Sequence, residues 1–162
     1  YGIDEIALVP GKRTLDYDLT DPSWLIGNLK REVPIVASAM DSVVDVDTAV
    51  ELTKLGALGV INMEGIQTRY ENPDEILNQI ASVGKNEFVP LMQNIYSEPV
   101  KEKLILQRIN EVKERGGIAA LSGTPQAAIK FKEHLIVPKF IYFSFKEQSF
   151  QLSILEWKVR KP

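Results

Sequence analysis

The chain has 162 residues, of which 44% are hydrophobic and 25% charged, and its formal net charge is −3 at pH 7. This composition is ordinary for a globular domain, and the weak negative charge argues against a nucleic-acid or anionic-membrane partner, which would favour a clustered basic surface. The sequence contains no cysteine, which excludes disulfides, thiolate metal sites and a cysteine nucleophile from these residues. No apolar run approaches the roughly 18 residues of a membrane-spanning helix, and the first residues, YGIDEIALVPG, lack the layout of a secretory signal. We therefore expect a cytoplasmic protein.

The first strong pattern is an apolar run of β-branched and small residues at 33–39 (VPIVASA), typical of a strand buried on both faces. A helix is predicted next, because Asp45 or Asp47 can cap its start and Gly56 can end it. Its apolar stripe consists of Val46, Ala49, Val50 and Leu55. Residues 57–62 (ALGVIN) are a second buried-strand candidate.

A second helix is predicted after Asn72, which can cap it, because Pro73 suits the first helical position. The residues expected on its inner face are Ile76, Leu77, Ile80 and Val83. Residues 88–93 (FVPLMQ) are predicted to be extended, since Pro90 disfavours a helix interior.

A third helix is expected at about 100–115, closed by Gly116, followed by a third buried strand at 118–122 (IAALS). Thr124 and Pro125 then start another helix by the same cap-and-proline device. Strands that are apolar throughout and separated by amphipathic helices predict an α/β fold, with parallel strands and crossover helices. The region around Trp24 should lie across one end of the sheet.

The end of the chain differs in composition from the rest. Residues 1–135 carry 14 Lys or Arg against 20 Asp or Glu, whereas residues 136–162 carry 5 against 2 and include six aromatic side chains. Reading possible codons of residues 141–154 in a shifted frame allows LFFIQGTVVST, an apolar strand that runs into a small-residue loop. We therefore predict a domain at 1–135 and a non-homologous, out-of-frame tail at 136–162. The alternative is an aromatic edge strand with a basic end.

The residues best suited to bind a ligand follow the first predicted buried strand, in the SAMD motif (residues 38–41). Ligands of α/β sheets and barrels bind at the carboxyl ends of strands, where loops vary without disturbing the core. Ser38 offers a hydroxyl, Met40 an adaptable surface for a flat ring, and Asp41 an acceptor, although Asp41 could equally cap the next helix. The second loop, residues 62–65 (NMEG), occupies the equivalent position after the second predicted strand. We interpret it as an ordinary turn.

Other candidate motifs are weaker. The glycines near residue 59 lack the GxGxxG spacing of a dinucleotide site, and Asp45, Asp47 and Glu51 fit caps and a solvated helix face. The pair at residues 69–70 (RY) could reach a phosphate, but we predict that it is an exposed loop pair. The single histidine, His134, rules out multi-histidine metal sites and a Ser-His-Asp set, and we expect it on a solvated helix face.

Three segments together carry a specific resemblance: IALVPGKRTLD, PIVASAMDSVVD and LGALGVINMEGIQTRYENPDEIL. They resemble the IMP dehydrogenase / GMP reductase family, and most of all its bacterial IMP dehydrogenase-related branch. The likeness covers residues 2 to about 135, and the shifted reading LFFIQGTVVST resembles the next strand and loop of that branch.

The resemblance implies the N-terminal part of a (β/α)8 TIM barrel, here incomplete. It also implies purine metabolism: hydride transfer at purine C2 of IMP or GMP with NAD or NADP, in a homo-oligomer. Ser38 and Met40 match the substrate-cradling positions of the family, and Asp41 matches its supporting acid. The oxidative or reductive direction, and the choice between NAD and NADP, stay open.

The family's catalytic cysteine, flap and cofactor-binding segment have no counterpart in these residues. We therefore expect no bound cofactor, no metal, no catalytic residue, and a truncated, inactive fragment of a purine-nucleotide oxidoreductase. The alternative is a non-catalytic nucleotide-binding or interaction module that pairs with a full-length homologue. An open slice of a barrel should also be prone to aggregation or association, since its strand edges lack partners.

Overall fold

The computed structural model describes residues 3–7, 9, 11, 16–27, 29–131, 141–146 and 149–151. Short 3-10 helices at Ile3–Glu5 and Tyr17–Leu19 precede the main body. His134 and the predicted boundary at residue 135 lie outside the described residues.

The main body begins with an antiparallel hairpin of β1 (Trp24–Ile26) and β2 (Leu29–Arg31). The Arg31 Nε donates to the carbonyl oxygen of Ala57 at 3.1 Å, immediately before the second parallel strand begins. Ile26, at 4% exposure, packs in a cluster whose other buried members are Leu58, Val60 and Ala120. The hairpin therefore lies across the amino ends of the parallel strands, as predicted for the region around Trp24.

The strands that follow are short and mainly parallel: β3 (Val36–Ala37), β4 (Leu58–Gly59), β5 (Ile61–Asn62), β6 (Ala120–Gly123), β7 (Ile141–Lys146) and β8 (Ser149–Gln151). Strand β3 pairs in parallel with β4, and β6 pairs in parallel with both β5 and β7, whereas β8 is antiparallel to β7. Strands β4 and β5 are two pieces of the single strand predicted at 57–62. Val60 joins them, and its N–H donates to the carbonyl of Ala37 at 3.3 Å.

The helices are α1 (Val46–Lys54), α2 (Pro73–Ser82), α3 (Lys85–Ser97), α4 (Glu102–Glu114) and α5 (Pro125–Phe131), with a 3-10 turn at Ile66–Thr68. Helices α1, α4 and α5 pack against the strands, whereas α2 has no buried residue and its predicted inner face is only half-buried. The predicted start of α1 is confirmed, since the Thr48 N–H donates to the Asp45 carboxylate at 2.7 Å. The stop at Gly56 has a φ of 83°, which favours glycine. At α5 the Ala127 N–H donates to the Thr124 hydroxyl at 3.2 Å, as the cap-and-proline pattern predicts.

Side chains of the strands at 57–62 and 118–122 are buried on both faces, as their continuous apolar runs predict. The predicted burial of the strand at 33–39 on both faces is wrong, because Ile35 is 56% and Val36 42% exposed, and β4 alone of the described strands pairs with it. Leu58 and Val60 face the hairpin cluster, whereas Ile61 and Met63 join the cluster formed with α1 and α4. The stripe of α1 is confirmed at Val46, Ala49 and Val50. Leu55 is 70% exposed, so its assignment to the stripe is wrong. It follows the last helical residue, where the backbone leaves the helical path.

The segment predicted to be extended at 88–93 is helical, as the middle of α3, with Pro90 inside. Proline removes one backbone donor and crowds the preceding turn, which is unfavourable but local. Contacts at the far end of the helix offset this cost: Ile95 is 2% exposed, and its carbonyl oxygen accepts a hydrogen bond from the Tyr70 hydroxyl at 2.9 Å. Tertiary anchoring therefore overrides the local preference.

Candidate functional site

The SAMD loop (residues 38–44) leaves the carboxyl end of β3 as a tight turn. The carbonyl oxygen of Met40 accepts hydrogen bonds from the N–H groups of Val43 at 2.9 Å and Val44 at 3.0 Å. Val44 is fully buried and anchors the loop to the core, while Ser38 is exposed and Met40 is 54% exposed. The two residues predicted to cradle a substrate are therefore accessible at the expected edge.

Asp41 is half-buried, and both of its carboxylate oxygens have partners. Oδ1 accepts from the backbone N–H of Ile66 at 3.0 Å, and Oδ2 accepts from the hydroxyl of Tyr96 at 2.6 Å. These partners are 25 and 55 residues away in sequence. Asp41 does not cap the next helix, which Asp45 caps instead. It connects three elements: the SAMD loop, the loop after β5, and α3.

Gly65 makes the approach of Asp41 possible. A Cβ on Gly65 would lie 1.9 Å from Asp41 Oδ1, a distance that no pair of non-bonded atoms tolerates. The interpretation of residues 62–65 as an ordinary turn misses this role of Gly65. The glycine is needed because another loop packs against it, and sequence spacing alone does not reveal that contact.

The loop after β5 is also linked to the loop after β6. Glu64 accepts from the backbone N–H of Thr124 at 2.6 Å and from its hydroxyl at 3.2 Å. The Met63 N–H donates to the carbonyl of Ser122 at 2.8 Å. Hydrogen bonds thus connect the loops that follow β3, β5 and β6. These bonds restrict the relative movement of the loops that form the candidate site.

Tyr96 lies on the last turn of α3, beside the SAMD loop. Burial, the hydrogen bond to Asp41 and the charge of that carboxylate all raise the pKa of Tyr96, and the nearby Arg69 only partly opposes them. The Arg69 guanidinium carbon is 5.5 Å from the centre of the Tyr96 ring. The hydroxyl therefore stays protonated across the physiological range and remains a hydrogen-bond donor.

The prediction that residues 69–70 form an exposed loop pair is wrong, because both are half-buried. The Arg69 Nε donates to the carbonyl of Glu64 at 3.0 Å, and Nη1 donates to the carbonyls of Tyr96 and Glu98. The Arg69 guanidinium is thus hydrogen-bonded to backbone carbonyls and is not available to bind a phosphate.

The buried Arg108 is used in a similar way. Its Nε donates to the carbonyl of Gln67 at 3.0 Å, and Nη2 donates to the carbonyl of Glu71 at 2.8 Å. A dinucleotide pyrophosphate is normally met by glycine-rich backbone or by available cations. Arg69 and Arg108 are therefore committed to backbone carbonyls and do not fit the pyrophosphate of a nicotinamide dinucleotide.

The remaining acidic candidates behave as the sequence indicates. Asp45 caps α1, while Asp47 pairs with Arg115 and Glu51 pairs with Lys54, both pairs on the surface of the molecule. Across the part of the chain that the structure describes, no group of three or more His, Asp or Glu side chains could hold a metal ion.

One residue of the site, Tyr96, was not predicted from the sequence. Tyr96 lies in a segment whose helix was not predicted, and neither its spacing nor its neighbours link it to Asp41. A helical interpretation of residues 85–97, made despite Pro90, was the one available pattern that could have placed it at a helix end.

Parallel strands covered by helices, with linked loops at their carboxyl ends, define part of a (β/α) barrel whose candidate site lies at the usual end of that fold. A family model described as the IMP dehydrogenase / GMP reductase domain matches residues 1–148. The chain belongs to this family.

Relatives of known name agree with this assignment. An uncharacterized oxidoreductase of Mycolicibacterium smegmatis is 28% identical over 133 residues, which cover 79% of this chain and 36% of the relative. The inosine-5'-monophosphate dehydrogenase of Methanocaldococcus jannaschii is 33% identical over 99 residues, covering 61% of this chain and 19% of that enzyme.

A solved structure supports the fold. The IMP dehydrogenase/GMP reductase-like protein of Corynebacterium glutamicum has a TM-score of 0.74 and 26% identity, with 84% of this chain and 38% of that one covered. The chain thus spans little more than a third of the length of these bacterial relatives. Among the described residues, no helix is both long and apolar enough to cross a membrane.

Proposed function

We propose that this chain supplies the purine-nucleotide-cradling part of an IMP dehydrogenase / GMP reductase-type barrel, with Ser38, Met40 and Asp41 as the nucleotide-binding residues. The observation that supports this most directly is the accessible SAMD loop, whose acid is held by two partners while Ser38 and Met40 stay exposed. In this proposal Ser38 donates to the nucleotide, Met40 packs on the purine, and Asp41 fixes the loop.

The reaction proposed for the whole barrel is hydride transfer between purine C2 and a nicotinamide cofactor, NAD or NADP, in a homo-oligomer. The family membership and the oxidoreductase relatives support that class of reaction. Because the 162 residues contain no cysteine, we propose that they do not form the covalent C2 adduct by themselves and are inactive in isolation. Binding, not turnover, is therefore the property to test.

The test is calorimetry of the full chain with IMP and with GMP. We expect measurable heat at nucleotide concentrations up to about 1 mM, equivalent to roughly −4 kcal/mol of binding free energy. Met40→Ala should weaken binding by roughly 1 to 2 kcal/mol through lost apolar contact, and Ser38→Ala by about 1 kcal/mol.

The matched control is Ser42→Ala, an exposed serine of the same loop to which no contact with the nucleotide is assigned. It should bind as the unmodified chain does. Absence of heat with both nucleotides, or equal losses in the control and the site variants, would remove the proposed function.

We further propose that the tail at 136–162 results from a change of reading frame near residues 135–140. The change of charge and aromatic content supports this boundary. The family match continues to residue 148, and β7 (Ile141–Lys146) pairs with β6, so an in-frame edge strand is the competing account. Sequencing the coding DNA decides between them, because a frame change requires the shifted frame to continue into a cysteine-containing glycine loop.

A further inference from the structure

Tyr96 holds the SAMD loop through a hydrogen bond to Asp41. Its hydroxyl donates to Asp41 Oδ2 at 2.6 Å, while the Ile66 N–H holds Oδ1 at 3.0 Å. With both oxygens engaged, the carboxylate cannot rotate without breaking a charge-assisted hydrogen bond, and such bonds are among the stronger ones in proteins. Rotation of Asp41 would break the contacts that join the SAMD loop to the loop after β5 and to α3.

The backbone that carries Tyr96 is itself fixed. Arg69 Nη1 donates to the Tyr96 carbonyl at 3.1 Å, and the Tyr70 hydroxyl donates to the Ile95 carbonyl at 2.9 Å. Ile95 is 2% exposed. These bonds attach the end of α3 to the segment that follows the loop after β5. The backbone of Tyr96 is therefore fixed, and this fixes the position from which its hydroxyl reaches Asp41.

Tyr96 itself keeps part of its surface open, with 38% of the residue exposed. The Tyr96 side chain is therefore not a member of the buried core clusters, and its hydroxyl contacts Asp41 at the edge of the site. We propose that Tyr96 is a positioning residue, which holds Asp41 and thereby sets the SAMD loop for nucleotide binding. The inference rests on the proposed function, because it assigns α3 a part in that same site.

The test compares two tyrosine-to-phenylalanine variants of the full chain. Tyr96→Phe removes the hydroxyl that holds Asp41, whereas Tyr70→Phe removes a hydroxyl that anchors the same helix end without touching Asp41. We expect Tyr96→Phe to weaken IMP binding on the order of 5-fold, and Tyr70→Phe by less than about 2-fold, since only the first loses a bond to a charged acceptor in the site. Equal effects, or none from Tyr96→Phe, would overturn the inference.

A double-mutant cycle separates positioning from general destabilisation. If Tyr96 acts through Asp41, then Asp41→Ala combined with Tyr96→Phe should bind IMP as weakly as Asp41→Ala alone. Additive losses would contradict this mechanism, because they would mean that the tyrosine acts independently of the carboxylate.

Amide hydrogen exchange gives a readout that does not depend on nucleotide. Tyr96→Phe should speed exchange at the Ile66 amide, whose acceptor is Asp41, whereas Tyr70→Phe should leave that amide protected. Unchanged Ile66 protection in Tyr96→Phe would overturn the inference. If the unmodified chain binds neither IMP nor GMP, the proposed function fails, while this measurement still decides whether Tyr96 holds the loop.

Discussion

At the scale of single residues, close approach and charge pairing set the geometry of the candidate site. Gly65 leaves room for the Asp41 carboxylate, and the buried Arg108 ties the following segment to α4 through three carbonyls and Glu111. Each contact joins residues that are distant in sequence or lie on different elements, apart from the pair of Arg108 and Glu111. Changes at these positions should therefore affect more than their own element.

Gly65→Ala should displace Asp41, because the new Cβ would overlap its carboxylate. We expect a loss of about 1 to 3 kcal/mol in the free energy of unfolding, together with weaker IMP binding. Gly84→Ala is the matched control, since a Cβ there meets nothing within 4 Å. Denaturant unfolding and calorimetry measure both effects, and a Gly65→Ala chain that behaved like Gly84→Ala would show that the loops separate freely.

Glu111 should make stability depend on pH. Burial alone would raise the pKa of Glu111, but hydrogen bonds from Arg108 and Gln107 and the charges of Arg108 and Arg115 lower it below its usual value. A carboxyl with a lowered folded pKa contributes stability above its unfolded pKa, roughly 4.3, and loses it as the pH falls through the folded pKa.

Glu111→Gln should therefore cost about 1 kcal/mol of unfolding free energy at pH 7, with the difference from the unmodified chain shrinking below roughly pH 4. Exposed Glu114 lies on the same helix, so Glu114→Gln makes the same change of charge away from Arg108. Urea unfolding at several pH values measures both variants. A Glu111→Gln penalty that stayed constant down to pH 3 would contradict the assignment.

At the scale of elements, α3 departs most from what local rules predict. Its proline lies at the sixth of thirteen positions, where a backbone hydrogen bond is lost, yet the helix runs on to Ser97 and delivers Tyr96 to the site. By contrast, Pro73 is the first residue of α2, where its missing N–H costs nothing. The two prolines should therefore respond oppositely to replacement.

Pro90→Ala should stabilise the chain by roughly 1 to 3 kcal/mol, because it restores a hydrogen bond and removes a clash in the helix interior. Pro73→Ala should instead lose about 0.4 to 1 kcal/mol, since the unfolded chain gains freedom without a new bond in the folded state. Thermal unfolding of both variants tests this contrast. Destabilisation by Pro90→Ala would mean that α3 is not a continuous helix.

At the scale of the whole molecule, the described strands form part of a barrel rather than a closed one. Of the residues that the structure describes, only β4 pairs with β3, and Ile35 and Val36 beside that open edge are 56% and 42% exposed. Open apolar edges favour pairing with other chains. The same edge is where a second barrel fragment or a full-length homologue could add a strand.

We expect the chain to self-associate at concentrations on the order of 10 to 100 µM, and Val36→Lys to reduce this by placing a charge on the edge. Ile129→Lys is the matched control, because Ile129 is 75% exposed but lies on helix α5. Sedimentation velocity over a range of concentrations measures the effect. Equal association of both lysine variants would exclude the β3 edge as the contact.

Much of the fold follows from local patterns. The buried strands at 57–62 and 118–122, the cap of α1 by Asp45, the start of α5 at Thr124 and Pro125, and the alternation that yields parallel strands all depend on residues close in sequence. Hydrophobic periodicity and capping act over a few residues, so a sequence reading can detect them. The SAMD motif could be found for the same reason, because it directly follows an apolar strand.

The sequence by itself determined the family, the parallel α/β design and the candidate loop of Ser38, Met40 and Asp41. Only the tertiary structure decided that residues 85–97 are helical and that Asp41 meets Ile66 and Tyr96. Those contacts span 25 and 55 residues and depend on how loops and helices pack at the carboxyl ends of the strands. Local propensity carries no information about such packing, because the free energy that selects it arises only once distant segments come together.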